Sequence, residues 1–167
     1  MEDWAAIVAR DGPAAWRTAC RVLGNRDDAA ECVQDAFAAA VEISRTQPVR
    51  NWRALLVRLT TTRAIDRLRR RMRRDPRPTE HTHEEAADPS PDPAHVAEDR
   101  DLVARLRELL PTLPGDQAEA LILHAVEEWT YEQIGRELSL SPSAVGMLLV
   151  RARQRLRQSL AGDARRR

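Results

Sequence analysis

The sequence predicts an all-α protein built from two small helical domains, and three observations carry that prediction. Ala, Leu, Arg and Glu fill nearly every stretch that could be ordered, and the 167 residues include only 6 Gly, so strong helix formers dominate. Apolar residues recur at spacings of three and four rather than two. Charge is divided along the chain, with 15 Arg against 9 acids over residues 1–74, 2 against 8 over residues 75–100, and 10 against 9 thereafter. Such asymmetry is expected of modules joined by a tether. The predicted bounds are helical domains at 1–74 and 98–162, a flexible acidic linker at 75–97, and a disordered basic tail at 163–167.

In the first domain, Trp4, Ala5, Ile7 and Val8 open an amphipathic segment that Gly12-Pro13 is expected to interrupt. Ala15, Trp16, Ala19, Cys20 and Leu23 resume the stripe, and Gly24-Asn25 stops it. Asp27 or Asp28 is placed to cap a second helix, whose inner face is Ala29, Cys32, Val33, Ala36, Phe37, Ala40 and Val41. Opposite lie Asp28, Glu31, Gln34 and Asp35, an acidic face that on spacing alone reads as an ordinary solvated surface. After a turn at 46–48, a third helix over 52–72 holds Leu55, Leu56, Leu59, Ile65 and Leu68 on one side. Its other side carries Arg58, Arg63, Arg67, Arg69, Arg70, Arg71, Arg73 and Arg74. Arginines suit the negative end of a helix dipole, yet six of them between Arg67 and Arg74 exceed that need and point to phosphate binding.

The middle stretch contains Pro76, Pro78, Pro89, Pro91 and Pro93 among acids and almost nothing apolar, too little buried surface to offset the entropy of ordering. It reads as a spacer, or as an acidic strand that fills a basic channel in a partner. His81 and His83 stand without a third His or Cys nearby, so the metal reading is weak.

In the second domain, apolar positions 102, 103, 106, 109, 110 and 113 describe a helix that Pro111 and Leu113-Pro114-Gly115 end. Asp116 is the expected cap of the next helix, with Glu119 in capping-box register. Thr130 caps a short helix over Tyr131–Leu138, Ser139-Leu140-Ser141 makes a tight turn, and Pro142 suits the first position of the last helix. Val145, Leu149, Ala152 and Leu156 face inward on that helix, and small Gly135 lets the two helices approach, as in a helix-turn-helix. The outward face starts with Ser143, Gly146, Met147 and Val150 and continues with Arg151, Arg153, Arg155 and Arg157. That order suits a recognition helix, whose N-terminal end meets base edges while later residues hold phosphates.

Two separate stretches resemble a known family, the extracytoplasmic-function sigma factors of the sigma-70 class. Asp28-Ala29-Ala30-Glu31-Cys32-Val33-Gln34-Asp35-Ala36-Phe37 and Ala64-Ile65-Asp66-Arg67-Leu68-Arg69 resemble the acidic and promoter-reading helices of its region 2. Leu109-Leu110-Pro111, Thr130-Tyr131-Glu132-Gln133-Ile134-Gly135, Leu140-Ser141-Pro142-Ser143-Ala144-Val145 and Arg151-Ala152-Arg153-Gln154-Arg155-Leu156 resemble region 4. The resemblance implies a promoter-specificity factor that makes no bond itself. Its acidic helix would dock on core RNA polymerase through Asp28, Glu31, Gln34 and Asp35. Promoter DNA would be met by Asn51, Trp52, Arg58, Thr62, Arg63, Arg67, Arg70 and Arg71 at the melted edge, and by Ser143, Gly146, Met147, Val150, Arg151 and Arg153 at the upstream element. The linker would thread toward the polymerase interior, and an anti-sigma factor is a further partner of the kind the family admits. Departures stand at Leu55, where the family usually has an aromatic residue that Trp52 could replace, at Thr62 in place of Asn, and at Gly146 and Met147 in place of a basic residue and Ser. Leu148 and Val150 also replace common polar residues.

No phosphate-cradling glycine loop, zinc-binding His pair or nucleophile with a base is present, so no catalytic residue, cofactor or metal is expected. Cys20 and Cys32 read as reduced thiols. No leader-like segment and no apolar run of membrane-spanning length is legible, which predicts a cytoplasmic protein without membrane insertion. Two other readings remain: a helix-turn-helix regulator acting without polymerase, and a protein-binding adaptor whose DNA face has degenerated at Gly146 and Met147.

Overall fold

The structure, a computed structural model, describes residues 2–74 and 93–164. Among them are seven α-helices: α1 (Trp4–Leu23), α2 (Arg26–Thr46), α3 (Trp52–Arg74), α4 (Pro93–Leu109), α5 (Gly115–Ala125), α6 (Tyr131–Leu138) and α7 (Pro142–Ala164), with one 3-10 turn at Leu110–Thr112 between α4 and α5. The all-α prediction holds. Most of the expected linker, including His81 and His83, lies outside the described residues, as does the end of the basic tail; α4 begins at Pro93 inside the predicted linker, and α7 runs to Ala164.

Local chemistry explains where the helices start and stop. Asp3 Oδ1 accepts from the Ala6 backbone N–H at 3.1 Å and caps α1. Pro13, expected to break this helix, lies inside it. Pro13 and Ala9 are both exposed, so the carbonyl that loses its helical donor at Pro13 can turn to water. Gly24 ends α1 with a φ of 66°, and a Cβ there would stand 2.6 Å from the Arg107 guanidinium. That guanidinium donates to the Arg21 carbonyl at 3.0 Å, and burial pulls its pKa down.

The cap of α2 is Asn25, whose side chain accepts from Asp28 N–H at 2.9 Å, rather than Asp27 or Asp28. Those two acids lie in the first turn, where the helix dipole favours them. Asn51 caps α3 by accepting from Ala54 N–H at 3.0 Å.

The first three helices form one bundle, with Ile7, Ala15, Ala40, Trp52 and Leu56 in a core cluster at one end. The second domain does not stand apart. Ala19, Val22, Leu23, Ala29, Cys32, Ala64, Ile65 and Leu68 share a core with Leu113, Ala118, Ile122, Ala152 and Leu156. A second shared cluster joins Ala14 and Val57 to Ala120, Leu123, Ile134, Val145, Leu148 and Leu149. Helix α3 is therefore the central element, packed on α1 and α2 on one side and on α5 on the other.

Polar contacts cross the same seam. Arg58 Nε donates to Glu119 Oε1 at 3.1 Å, Thr18 Oγ1 to Glu127 Oε1 at 2.6 Å, and Arg69 Nη2 to the Leu113 carbonyl at 3.0 Å. The sequence placed Glu119 in a capping box; it serves this interface instead. Asp116 is likewise no cap, because α5 starts at Gly115 after Pro114 and Asp116 Oδ1 accepts only from the next residue's N–H.

Candidate polymerase and nucleic-acid interfaces

The turn between α6 and α7 fixes the helix-turn-helix. Thr130 Oγ1 accepts from Gln133 N–H at 3.2 Å while Gln133 Oε1 accepts from Thr130 N–H at 2.8 Å, a reciprocal capping box. His124 faces Tyr131 edge-on at 5.3 Å and steadies the entry to α6. Ser139 adopts φ 56° at the end of α6, and Leu140 N–H donates to the Gly135 carbonyl at 2.8 Å. A Cβ at Gly135 would stand 2.6 Å from the Leu140 carbonyl oxygen, so glycine is required by the turn itself rather than by the body of α7.

Helix α7 then divides its residues cleanly. Val145, Leu148, Leu149, Ala152 and Leu156 are buried, which places Leu148 in the core rather than on a recognition face. Ser143, Met147, Val150 and Arg151 are exposed, while Gly146 and Arg153 are half-buried. Exposed Arg155 and Arg157 follow on the same helix, and exposed Arg136 stands on α6. Arg136 was not singled out in the sequence; its signal was an arginine on the outward side of the helix preceding the recognition helix.

On α2, the four residues expected to dock on polymerase fall on one face: Asp28 is half-buried, and Glu31, Gln34 and Asp35 are exposed. Arginines from α3 reach across to them. Arg67 donates to Glu31 Oε2 at 2.9 Å and to Asp35 Oδ2 at 3.1 Å, and Arg71 donates to Asp28. Burial acts to lower the Arg67 pKa, but its bonds to Glu31 and Asp35 outweigh that, and the net shift is upward. Arg67 and Arg71, expected on a DNA face, are thus turned onto the acids of α2. Glu31 and Asp35 keep 67% and 55% of their side chains exposed, so their outer edges stay open to a partner.

The remaining α3 positions separate by face. Thr62 is exposed, its hydroxyl shared between the Arg58 carbonyl at 3.1 Å and Glu119 at 3.3 Å. Arg58 is half-buried on the same glutamate. Exposed Arg70 and half-buried Arg63 make no ion pair among the described residues and line a groove with Asp35, Glu42 and Asp66. Trp52 corrects the sequence reading: it is only 8% exposed, with its ring edge-on to Trp4 at a centroid distance of 5.0 Å. Packed there, it offers no free ring face on which a flipped base could stack. Leu55 is half-buried against the same cluster.

Cys20 and Cys32 are free thiols. Burial pushes Cys32 up to about 11 and also raises Cys20, so neither carries thiolate character at neutral pH. No group of three His, Cys, Asp or Glu among the described residues could hold a metal ion, and no helix there is long and apolar enough to cross a membrane.

Comparison with known proteins places both halves of the chain. The family model for Sigma-70 region 2 matches residues 7–74, and that for Sigma-70, region 4 matches residues 104–156. The chain is 30% identical over 163 residues to the ECF RNA polymerase sigma factor SigE of Mycolicibacterium smegmatis, covering 96% of this chain and 63% of that protein. The chain thus spans less than two thirds of that relative's length. It is 26% identical over 155 residues to the RNA polymerase sigma factor CarQ of Myxococcus xanthus, covering 92% of this chain and 87% of that one. Its fold is similar to that of the sigma factor RpoE from Bartonella quintana, solved in complex with the anti-sigma factor NepR, with a TM-score of 0.56 at 22% identity over 96% of this chain and 98% of that one.

Proposed function

The chain belongs to the sigma-70 family, with its region 2 and region 4 in one chain, and from that premise we propose that it is a promoter-specificity factor for core RNA polymerase. The observation that carries this reading is a division of labour among exposed faces. Helix α2 presents Glu31, Gln34 and Asp35 to a cationic partner, whereas α7 presents arginines beyond a rigid capped turn. In this reading the outer edges of Glu31 and Asp35 dock on the polymerase. Arg63 and Arg70, with Asn51, Arg58 and Thr62, meet the melted edge of promoter DNA, and the start of α7 enters the major groove of the upstream element. Arg67 and Arg71 act one step removed, by holding the acidic face in shape.

The protein forms and breaks no covalent bond. It supplies differential binding to promoter sequence and to the opened strand, works in the cytoplasm where the polymerase is, and is open to control by an anti-sigma factor. The acidic stretch at 75–92 joins the two halves and, in this reading, runs toward the polymerase interior.

The test is capture of purified bacterial core RNA polymerase by the full chain, followed by run-off transcription from genomic fragments. Stable capture with new start sites is expected. A folded chain that binds duplex DNA but not core would establish the free-standing regulator instead. Because arginines placed at 28, 31 and 35 would collide with Arg67 and Arg71, Glu31→Gln with Asp35→Asn is the cleaner probe of docking. That pair should weaken core binding by about tenfold or more while helicity is unchanged.

A further inference from the structure

The N-terminal half of α7 is unusual for a surface that reads DNA: two large apolar side chains stand exposed on it. Met147 and Val150 are 56% and 62% exposed and belong to none of the core clusters, while their neighbours Leu148 and Leu149 turn inward. Helical spacing puts Ser143, Met147 and Val150 on one face, and Leu140 is exposed in the turn that leads into it. Hydrogen-bonding capacity there is low. Ser141 and Ser143 lie 3.0 Å apart and bond to each other, and Ser141 Oγ also accepts from Ala144 N–H. Gly146 contributes no side chain, and a Cβ at that position would already touch the Tyr131 ring at 3.4 Å.

Charge identifies what covers this apolar pair. Arg151 and Arg157 continue the same face, Arg136 of α6 lines a groove with Leu140 and Pro142 at the start of α7, and none of the three makes an ion pair among the described residues. An apolar tip framed by exposed arginines fits a duplex, with phosphates on the rim and base edges at the centre. Of the groups that base edges present in the major groove, the C5-methyl of thymine is the apolar one.

We propose that Met147 and Val150 determine specificity by burying thymine C5-methyl groups in the major groove, so that the upstream element is selected by its methyls rather than by side-chain hydrogen bonds to base edges. The proposal rests on the promoter-binding reading above and deepens it. Arg151, Arg157 and Arg136 hold the backbone and set the register; Met147 and Val150 discriminate. Each buried methyl is worth about 0.8 kcal/mol, or roughly fourfold in affinity.

The full chain, alone and with core polymerase, is used to enrich binding sites from a random-sequence duplex library. The enriched duplex is then synthesised with deoxyuridine replacing thymidine one position at a time, which keeps the pairing and removes only the methyl. Enrichment of thymine-bearing sites is expected, with a loss of about threefold or more at one or two positions. Met147→Ala and Val150→Ala should abolish the difference between the two duplexes. Both side chains are exposed, so circular dichroism of the variants should match the parent. Sequence-selective binding that ignores the methyls overturns the proposal and leaves the promoter reading intact. Absence of any enriched sequence, with no promoter-dependent transcript, overturns both, and recruitment of a protein to Met147 and Val150 in place of DNA overturns the proposal as well.

Discussion

Helices α3 and α7 each carry a run of arginines, at the C-terminal end of α3 and in the middle of α7, and they differ in what those arginines do. On α3, Arg58 is paired with Glu119, Arg67 with Glu31 and Asp35, Arg69 with Asp66, and Arg71 with Asp28. On α7, Arg151, Arg153, Arg155 and Arg157 make no ion pair among the described residues. A basic run is therefore not by itself a phosphate-binding face. The α3 cluster is divided between arginines that lock helices together and arginines, such as Arg70, that stay exposed without an ion pair among the described residues.

The sharpest separation should come from Arg151→Ala combined with Arg157→Ala. Affinity for duplex DNA should fall roughly tenfold to a hundredfold, and the log–log salt slope should become shallower by about 1.8 for two lost phosphate contacts, with thermal stability unchanged. An equal loss of stability would erase the distinction between the helices. Arg67→Ala should do the reverse, costing about 1–2 kcal/mol in urea unfolding, because three acids lose a shared partner. Its effect on the duplex salt slope should be nil, and a shallower slope with full stability would return Arg67 to the DNA face.

A smaller change is expected from Glu119→Ala, which releases Arg58 and Thr62. Stability should drop by less than about 1 kcal/mol, and binding to a single-stranded oligonucleotide should rise about twofold to threefold as a competing anion is removed. Unchanged binding would show that Arg58 faces only the interface.

The α2–α3 seam itself should be sensitive to alkaline pH. Cys32 lies buried with its sulfur 3.5 Å from the Thr60 carbonyl and its pKa pushed up to about 11 by burial, from an ordinary 9.0. The native thiol stays protonated while the unfolded one ionises, so stability should decline as pH rises from about 9 toward 11, by roughly 2 kcal/mol. Urea midpoints at pH 8 and 10.5 should show a smaller decline in Cys32→Ala than in the parent, and equal declines would place the alkaline sensitivity elsewhere.

Helix identities and most boundaries were legible because they depend on local chemistry. The stripe Val145, Leu149, Ala152 and Leu156 is buried as its spacing required, and Thr130 caps α6 as its position required. What was not legible depends on distant residues. Pro13 is tolerated because its face happens to meet water; Asn25 takes the cap of α2 ahead of two aspartates; Glu119 answers to a residue 61 positions away. Trp52 showed the same limit, since an aromatic residue at the start of a helix reads identically whether it is free to stack on a base or lies against Trp4. Periodicity shows that a face is covered and leaves open by what. For that reason the core shared between the two halves could not be seen in a sequence whose charge pattern suggests independent modules.

That shared core couples the two halves energetically. Val57 of α3 sits in one cluster with Ala120, Leu123 and Ile134, and returning such side chains to water costs about 1.5–3 kcal/mol for each large one. Any partner that engages the halves at separate places must first overcome that cohesion, so its observed affinity is the intrinsic affinity reduced by the work of separation. Conversely, a ligand that grips both halves as they lie draws on the cohesion as a reserve. The same seam thus biases the chain between two kinds of company, and a single substitution within it would shift that bias without touching a residue that either partner contacts.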